Sequence, residues 1–402
     1  MHKLHSSLLL YLFCSVVLVL PVIAAQPQAA TPVPGQRTEN TLNFGTFASF
    51  NDSYMQCVGS NGKYYWSAIF QTFAHVVYAP CRSQMLSDID FLGQHNIKTI
   101  RLWPALSTFA YDDNTHSWGN LESNIKNLDE VLAELAKYNM KAYITMMSVP
   151  DCSDTPEVTS ELGNYFNPDL INNTTTQNQF MQAFQAFITR YKDNQAIAAY
   201  DLVNEVSFIL ANPPTKTSKG YCNLTYDTKD FTNTKALLSR MYTTAKSIDT
   251  LHNFTFSFTQ PYAATSKMVN TFRNIVDYYD IHAYSHDPAS FYKNFPTYDK
   301  PVIQGETGEF GTFYDHNGND CEGTGSNSYE NIAPAMPPEC QQKWLANAQA
   351  FVQQAQLHNI QAIFFHQWTP SKAYGIRLYD NNHNFIGYQM TTAGQYILSL
   401  SN

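Results

Sequence analysis

Six polar residues, five of them titratable, stand at or near the ends of apolar runs. They are Arg101 in IRLW, Asn204 and Glu205 in DLVNEV, His282 and Tyr284 in DIHAYSH, and Glu306 in PVIQGETG. A carboxylate following a core-like run is costly unless it is paired or used. Two glutamates in that position, with Arg, His and Tyr at others, suit chemistry that needs one proton-holding and one ionised carboxyl group. Hydrolysis of a glycosidic bond is such a reaction. One carboxyl donates to the leaving oxygen while the other attacks the anomeric carbon, and their surroundings separate the two pKa values. Arg101 near Glu306 would hold that group ionised. Glu205 beside Asn204, without a close cation, would keep its proton. A separation of about 5–5.5 Å between the carboxyls predicts retention of configuration.

These residues need a scaffold that gathers strand ends. Short runs rich in β-branched and aromatic residues alternate with longer amphipathic stretches. Strands are expected at 97–102, 140–146, 197–203, 254–258, within 275–282, at 301–305 and at 361–366. Helices are expected at 82–95, 121–138, 177–191, 233–250, 266–274, 288–295, 339–357 and 391–400. The first strand is assigned to 41–47 or 70–78. Alternating strands and helices imply a parallel sheet. Nearly eight units predict the α/β class, as a (β/α)₈ TIM barrel in one domain, with long loops after the fourth and seventh strands (207–231 and 310–338). No glycine-rich phosphate loop follows a strand, which weighs against an open doubly wound sheet.

The series IRLW, VNE, HxY, GETG and QW resembles the clan of (β/α)₈ retaining glycoside hydrolases that includes glycoside hydrolase family 5, over roughly residues 42–400. The resemblance implies Glu205 as acid/base and Glu306 as nucleophile. It implies Arg101 and Tyr284 on the nucleophile, Asn204 on the 2-hydroxyl of a bound sugar, His282 near the acid/base and Trp368 as a subsite floor. Trp103 and Trp118 are candidate stacking platforms, or else loop packing. The expected activity is that of a β-glycosidase on a β-mannan or β-glucan. The segment ITMMSVPDC lacks the histidine that family 5 cellulases usually present after the third strand, which weakens a cellulase reading. A non-catalytic carbohydrate-binding barrel is the alternative. A metal-dependent hydrolase is disfavoured, because neither HxH nor HExxH occurs. No cofactor is expected.

Composition narrows the partners. The 402 residues carry a formal charge of −9, with no basic excess to neutralise nucleic-acid phosphates. Aromatic residues make up 14%, enough for both a ring-rich core and a ring-lined cleft. Residues 1–25 read as a signal peptide, with Leu8 to Leu20 as its apolar stretch, and 26–40 as a Pro-containing linker. The catalytic domain is then 41–402, an exported monomer free of the membrane once the signal is removed. Of seven cysteines, six lie beyond the signal. In an exported chain they are expected as disulfides, assigned here as Cys57–Cys81, Cys152–Cys222 and Cys321–Cys340. The six leave 15 pairings formally open.

Overall fold

The structure, a computed structural model, describes 42–147 with short gaps, 168–206, 228–258, 270–308, Cys321, 337–366, 374–379 and 385–401. The chain divides into Met1–Glu39 and Asn40–Asn402, and all described residues belong to the second unit. Among them, no helix is long and apolar enough to cross a membrane. The fold is mixed α/β. Its main sheet is built from β1 (Ala48–Asp52), β4 (Thr99–Leu102), β7 (Lys141–Thr145), β8 (Ile197–Asp201), β9 (Asn253–Thr255), β10 (Ser257–Phe258), β11 (Tyr279–Ile281), β12 (Ala283–Tyr284), β13 (Val302–Gly308) and β14 (Ile363–His366). All its pairings are parallel, in the order β10-β11-β13-β14-β1-β4-β7-β8-β9, with β12 added beside β13. Only Phe256 separates the two ends of that path. Antiparallel pairs stand apart: β2 (Tyr54–Val58) with β3 (Tyr64–Ala68), β5 (Tyr111–Asp112) with β6 (Ser117–Trp118), and β15 (Gly375–Tyr379) with β16 (Phe385–Met390).

Helices at His75–Gln94, Ile125–Lys137, Thr174–Tyr191, Thr228–Ile248, Pro288–Tyr292, Pro338–Leu357 and Thr392–Ser399 link the strands. The helix at 174–191 starts where Asn173 accepts hydrogen bonds from the amides of Thr175 and Thr176, a side-chain cap on otherwise unpaired donors. The first strand is neither expected segment: it is β1, directly after 41–47, and 75–78 belongs to a helix. Its partners explain the choice, since β1 pairs with both β4 and β14 and fills the slot between them. The expected long loops lie almost wholly outside the described residues. Cys321 is disulfide-bonded to Cys340. Cys81 is also disulfide-bonded. Cys152 and Cys222 lie outside the described residues, as does the side chain of Cys57.

A small inner core supports the site from below. Phe44 packs edge-on against Tyr143 and Phe364 at 5.6 Å and Tyr278 at 6.4 Å, with Ala199 and Ile303 in the same cluster. Side chains alternate along a strand. Two positions beyond Ala199, Tyr278 and Ile303, the same face therefore presents Asp201, Asp280 and Gly305. The apolar layer ends there and a charged layer begins.

Candidate active site

Arg101 lies within β4, not at its end, and its side chain is fully buried. Its Nη1 donates to Glu306 Oε1 at 2.6 Å, and its Nη2 to Asp201 Oδ2 and Asn204 Oδ1, both at 2.8 Å. The guanidinium carbon sits 4.8 Å from the Trp103 ring centre and 5.5 Å from that of Tyr143. Burial opposes the charge, but Glu306 and Asp201 outweigh it and hold the guanidinium pKa above its ordinary value.

Glu306 reaches this network through a local irregularity. Alternation from Ile303 would turn Gly305 and Thr307 inward and Glu306 outward. The register against β14 shifts between Gln304 and Thr307, so three steps on β13 span two on its partner. A bulge of this kind re-aims a side chain, and here it brings Glu306 to Arg101. Tyr284 Oη donates to the other carboxylate oxygen at 2.7 Å. Burial alone would raise the Glu306 pKa. The charges of His282 and Arg101 reverse this and bring it to about 2.

Glu205 stands in the turn after β8 with a positive φ of 52°, a conformation costly for a side chain other than glycine. Its amide donates to Ser257 Oγ at 2.9 Å. One of its oxygens lies 2.8 Å from His282 Nδ1, which is also 3.5 Å from Glu306 Oε2. Glu205 thus has a close cation, contrary to the sequence expectation. Its pKa is nevertheless raised, because burial outweighs the opposing contact with His282. His282 is buried, which would lower its pKa, yet Glu306, Glu205 and Asp280 bring it to about 9. Burial likewise raises Asp201 to about 6, only partly offset by Arg101.

The structure gathers Arg101, Asn204, Glu205, His282, Tyr284, Glu306 and Trp103, and ligand atoms of Glu205, His282 and Glu306 all fall within 4.8 Å of one another. Trp368 lies outside the described residues. Trp118 is buried between Tyr111 and Phe180, at 5.1 and 4.9 Å, and is loop core. Sequence reasoning passed over Asp201, Ser257, Asp280 and Tyr143. A signal existed for Asp280: positions 280, 282 and 284 in DIHAY alternate with apolar or small residues.

The family model that matches the chain is that of SCO1/SenC, a copper-chaperone family, over residues 122–237. The match spans less than a third of the chain and does not by itself place the protein in that family. No curated protein matches the sequence. Among solved structures, β-mannanase from the blue mussel Mytilus edulis is similar at 14% identity and a TM-score of 0.51, covering 80% of this chain and 94% of that one. An exo-β-1,4-mannosidase from Opitutaceae bacterium strain TAV5 is similar at 10% identity and 0.56, covering 89% and 59%. The family 1 β-glucosidase from Thermotoga maritima is similar at 11% and 0.53, covering 90% and 98%.

These findings correct the sequence expectation. The matching family model is not one of glycoside hydrolases, and at 10–14% identity the glycosidase structures share the fold, which does not carry their activity. The family 5 resemblance, the β-glycosidase activity on mannan or glucan, its carbohydrate partner and the carbohydrate-binding alternative are therefore withdrawn.

Among the described residues, the one candidate ligand group does not suit copper. Soft sulfur ligands suit Cu(I). The matched segment contains no histidine, and its two cysteines, Cys152 and Cys222, lie outside the described residues. The one described group of three candidate ligands, Glu205, His282 and Glu306, offers two hard carboxylates. In addition, its Glu306 is held by Arg101 and its His282 Nδ1 by Glu205.

A raised histidine pKa has a defined effect on stability. With its folded value at about 9, above its ordinary 6.5, His282 contributes stability that is complete below 6.5 and lost as pH rises through 9. Denaturant unfolding should therefore show a loss of about 3 kcal/mol from this group between those pH values. In His282→Gln that part of the slope should disappear. An unchanged slope in the variant would place the titration elsewhere.

Proposed function

We propose that the polar cluster is an acid–base centre in which Glu306 is the ionised, nucleophilic carboxylate and Glu205 holds the transferable proton. The opposite pKa displacement of two carboxyl groups that share His282 carries this reading. Pairs of titratable groups driven apart by their surroundings mark acid and base roles. Arg101 and Tyr284 orient Glu306, His282 bridges the pair, and Asn204 fixes Arg101 from the Glu205 side. Trp103 closes the guanidinium face.

The scaffold is proposed to be a closed (β/α)₈ barrel. Backbone hydrogen bonds from Leu202 to Thr255 and from Ser257 to Val203 continue the β8–β9 pairing into β10, where the sheet path begins. Such barrels carry their sites at strand C-terminal ends. Residues 1–25 are proposed to be a signal, 26–40 a linker and 41–402 the domain of an exported protein, a boundary supported by the division after Glu39. N-terminal sequencing of the secreted chain should read from near Gln26, and a mature chain starting at Met1 would contradict export by cleavage.

A small polar epoxide tests the pair without a known substrate. Attack by the Glu306 carboxylate forms one C–O bond, breaks the ring C–O bond and leaves an alkoxide that takes the Glu205 proton. Peptide mapping by mass spectrometry should locate the ester on Glu306. Esterification should slow by about a hundredfold or more in Glu205→Gln and be absent in Glu306→Gln. Equal labelling of the wild type and Glu205→Gln would contradict the assigned roles.

A further inference from the structure

Asp280, on β11, is fully buried directly behind the centre. Its Oδ1 accepts the Gly305 amide at 2.6 Å and its Oδ2 the Tyr143 hydroxyl at 2.5 Å. A Cβ at position 305 would lie 2.2 Å from Asp280 Oδ2, so the carboxylate occupies the space that only glycine leaves. Oδ2 is also 3.8 Å from His282 Nε2, and that nitrogen makes no hydrogen bond among the described residues. Asp280 therefore touches the backbone immediately before Glu306 and faces the back of the ring that bridges both glutamates.

Resting on the acid–base reading above, we propose that Asp280 is a positioning residue for the glutamate pair. It clamps β13 beneath Glu306 through the Gly305 amide, and its charge keeps the bridging His282 protonated. The charged and titratable groups around His282 are Glu205 and Asp201 from β8 and its following turn, Glu306 from β13, Arg101 from β4 and His366 from β14. Asp280 is the carboxylate nearest Nε2, whereas the two glutamates share Nδ1.

Histidine-selective NMR of the whole protein reads this directly. In Asp280→Asn, which keeps the shape and an acceptor but loses the charge, the His282 titration midpoint should fall by about one unit or more. Circular dichroism should remain that of the wild type, and esterification of Glu306 should slow about tenfold. In Tyr143→Phe, which keeps the charge and frees Oδ2, the midpoint should stay or rise. An unchanged midpoint in folded Asp280→Asn would overturn the proposal, and a fall in Tyr143→Phe would do so even where Asp280→Asn does not fold. The midpoint depends on no reaction, so a failure of Asp280 is separable from a failure of the pair, which the wild-type ester reports.

Discussion

A buried guanidinium must be surrounded by charge and hydrogen bonds, and the two terminal nitrogens of Arg101 find them in Glu306, Asp201 and Asn204. Removing one partner from such a set costs about 3–5 kcal/mol, because the remaining charge is left uncompensated. The set draws on β4, β8, the turn after β8, and β13. Strand ends distant in sequence are thereby held to one geometry. His282 and the Arg101 contact together give Glu306 its low pKa, while Glu205, which has no direct bond to Arg101 among the described contacts, stays on the other side of the ordinary glutamate range.

Several backbone features serve that hub. The bulge in β13 turns Glu306 inward where plain alternation would turn it out. Gly305 makes room for Asp280, and the left-handed turn at Glu205 aims its carboxyl at His282. Local strain of about 1–3 kcal/mol at such a position persists only when the surroundings over-determine it. Here the amide contact to Ser257 and the buried neighbours Asn204 and Val206 do so. Beneath, the ring cluster around Phe44 supplies the apolar floor that keeps the charged layer out of water.

Much of the scaffold was legible because hydrophobic periodicity reports it. The expected helix at 339–357 and strand at 197–203 differ from the observed Pro338–Leu357 and Ile197–Asp201 only at their ends. The first strand was not legible, because ASFND alternates over only four residues and holds just two apolar side chains, Ala48 and Phe50, and its place is set by two neighbours far along the chain. Arg101 and Glu306 could be singled out because charge in a core run is conspicuous. Asp201 and Asp280 are equally buried, yet they read as the polar edge of a strand, since their partners come from other strands. A bulge leaves no mark in composition or period. The cation beside Glu205 is equally invisible to composition and period, and only the motif resemblance placed His282 there: it lies seventy-seven positions away and meets Glu205 only in the fold.

The motif series pointed toward a named activity; the family-model match and the 10–14% identity of the glycosidase structures overturn it. What stands is the local electrostatics, from which the proposed roles follow. The most direct test is carboxyl-carbon NMR of glutamate-labelled protein across pH, with Glu205→Gln and Glu306→Gln assigning the two signals. The account predicts that Glu306 titrates near 2 and Glu205 above the ordinary glutamate value of 4.5. Coincident titration of both near 4.5, or the reverse order, would contradict it.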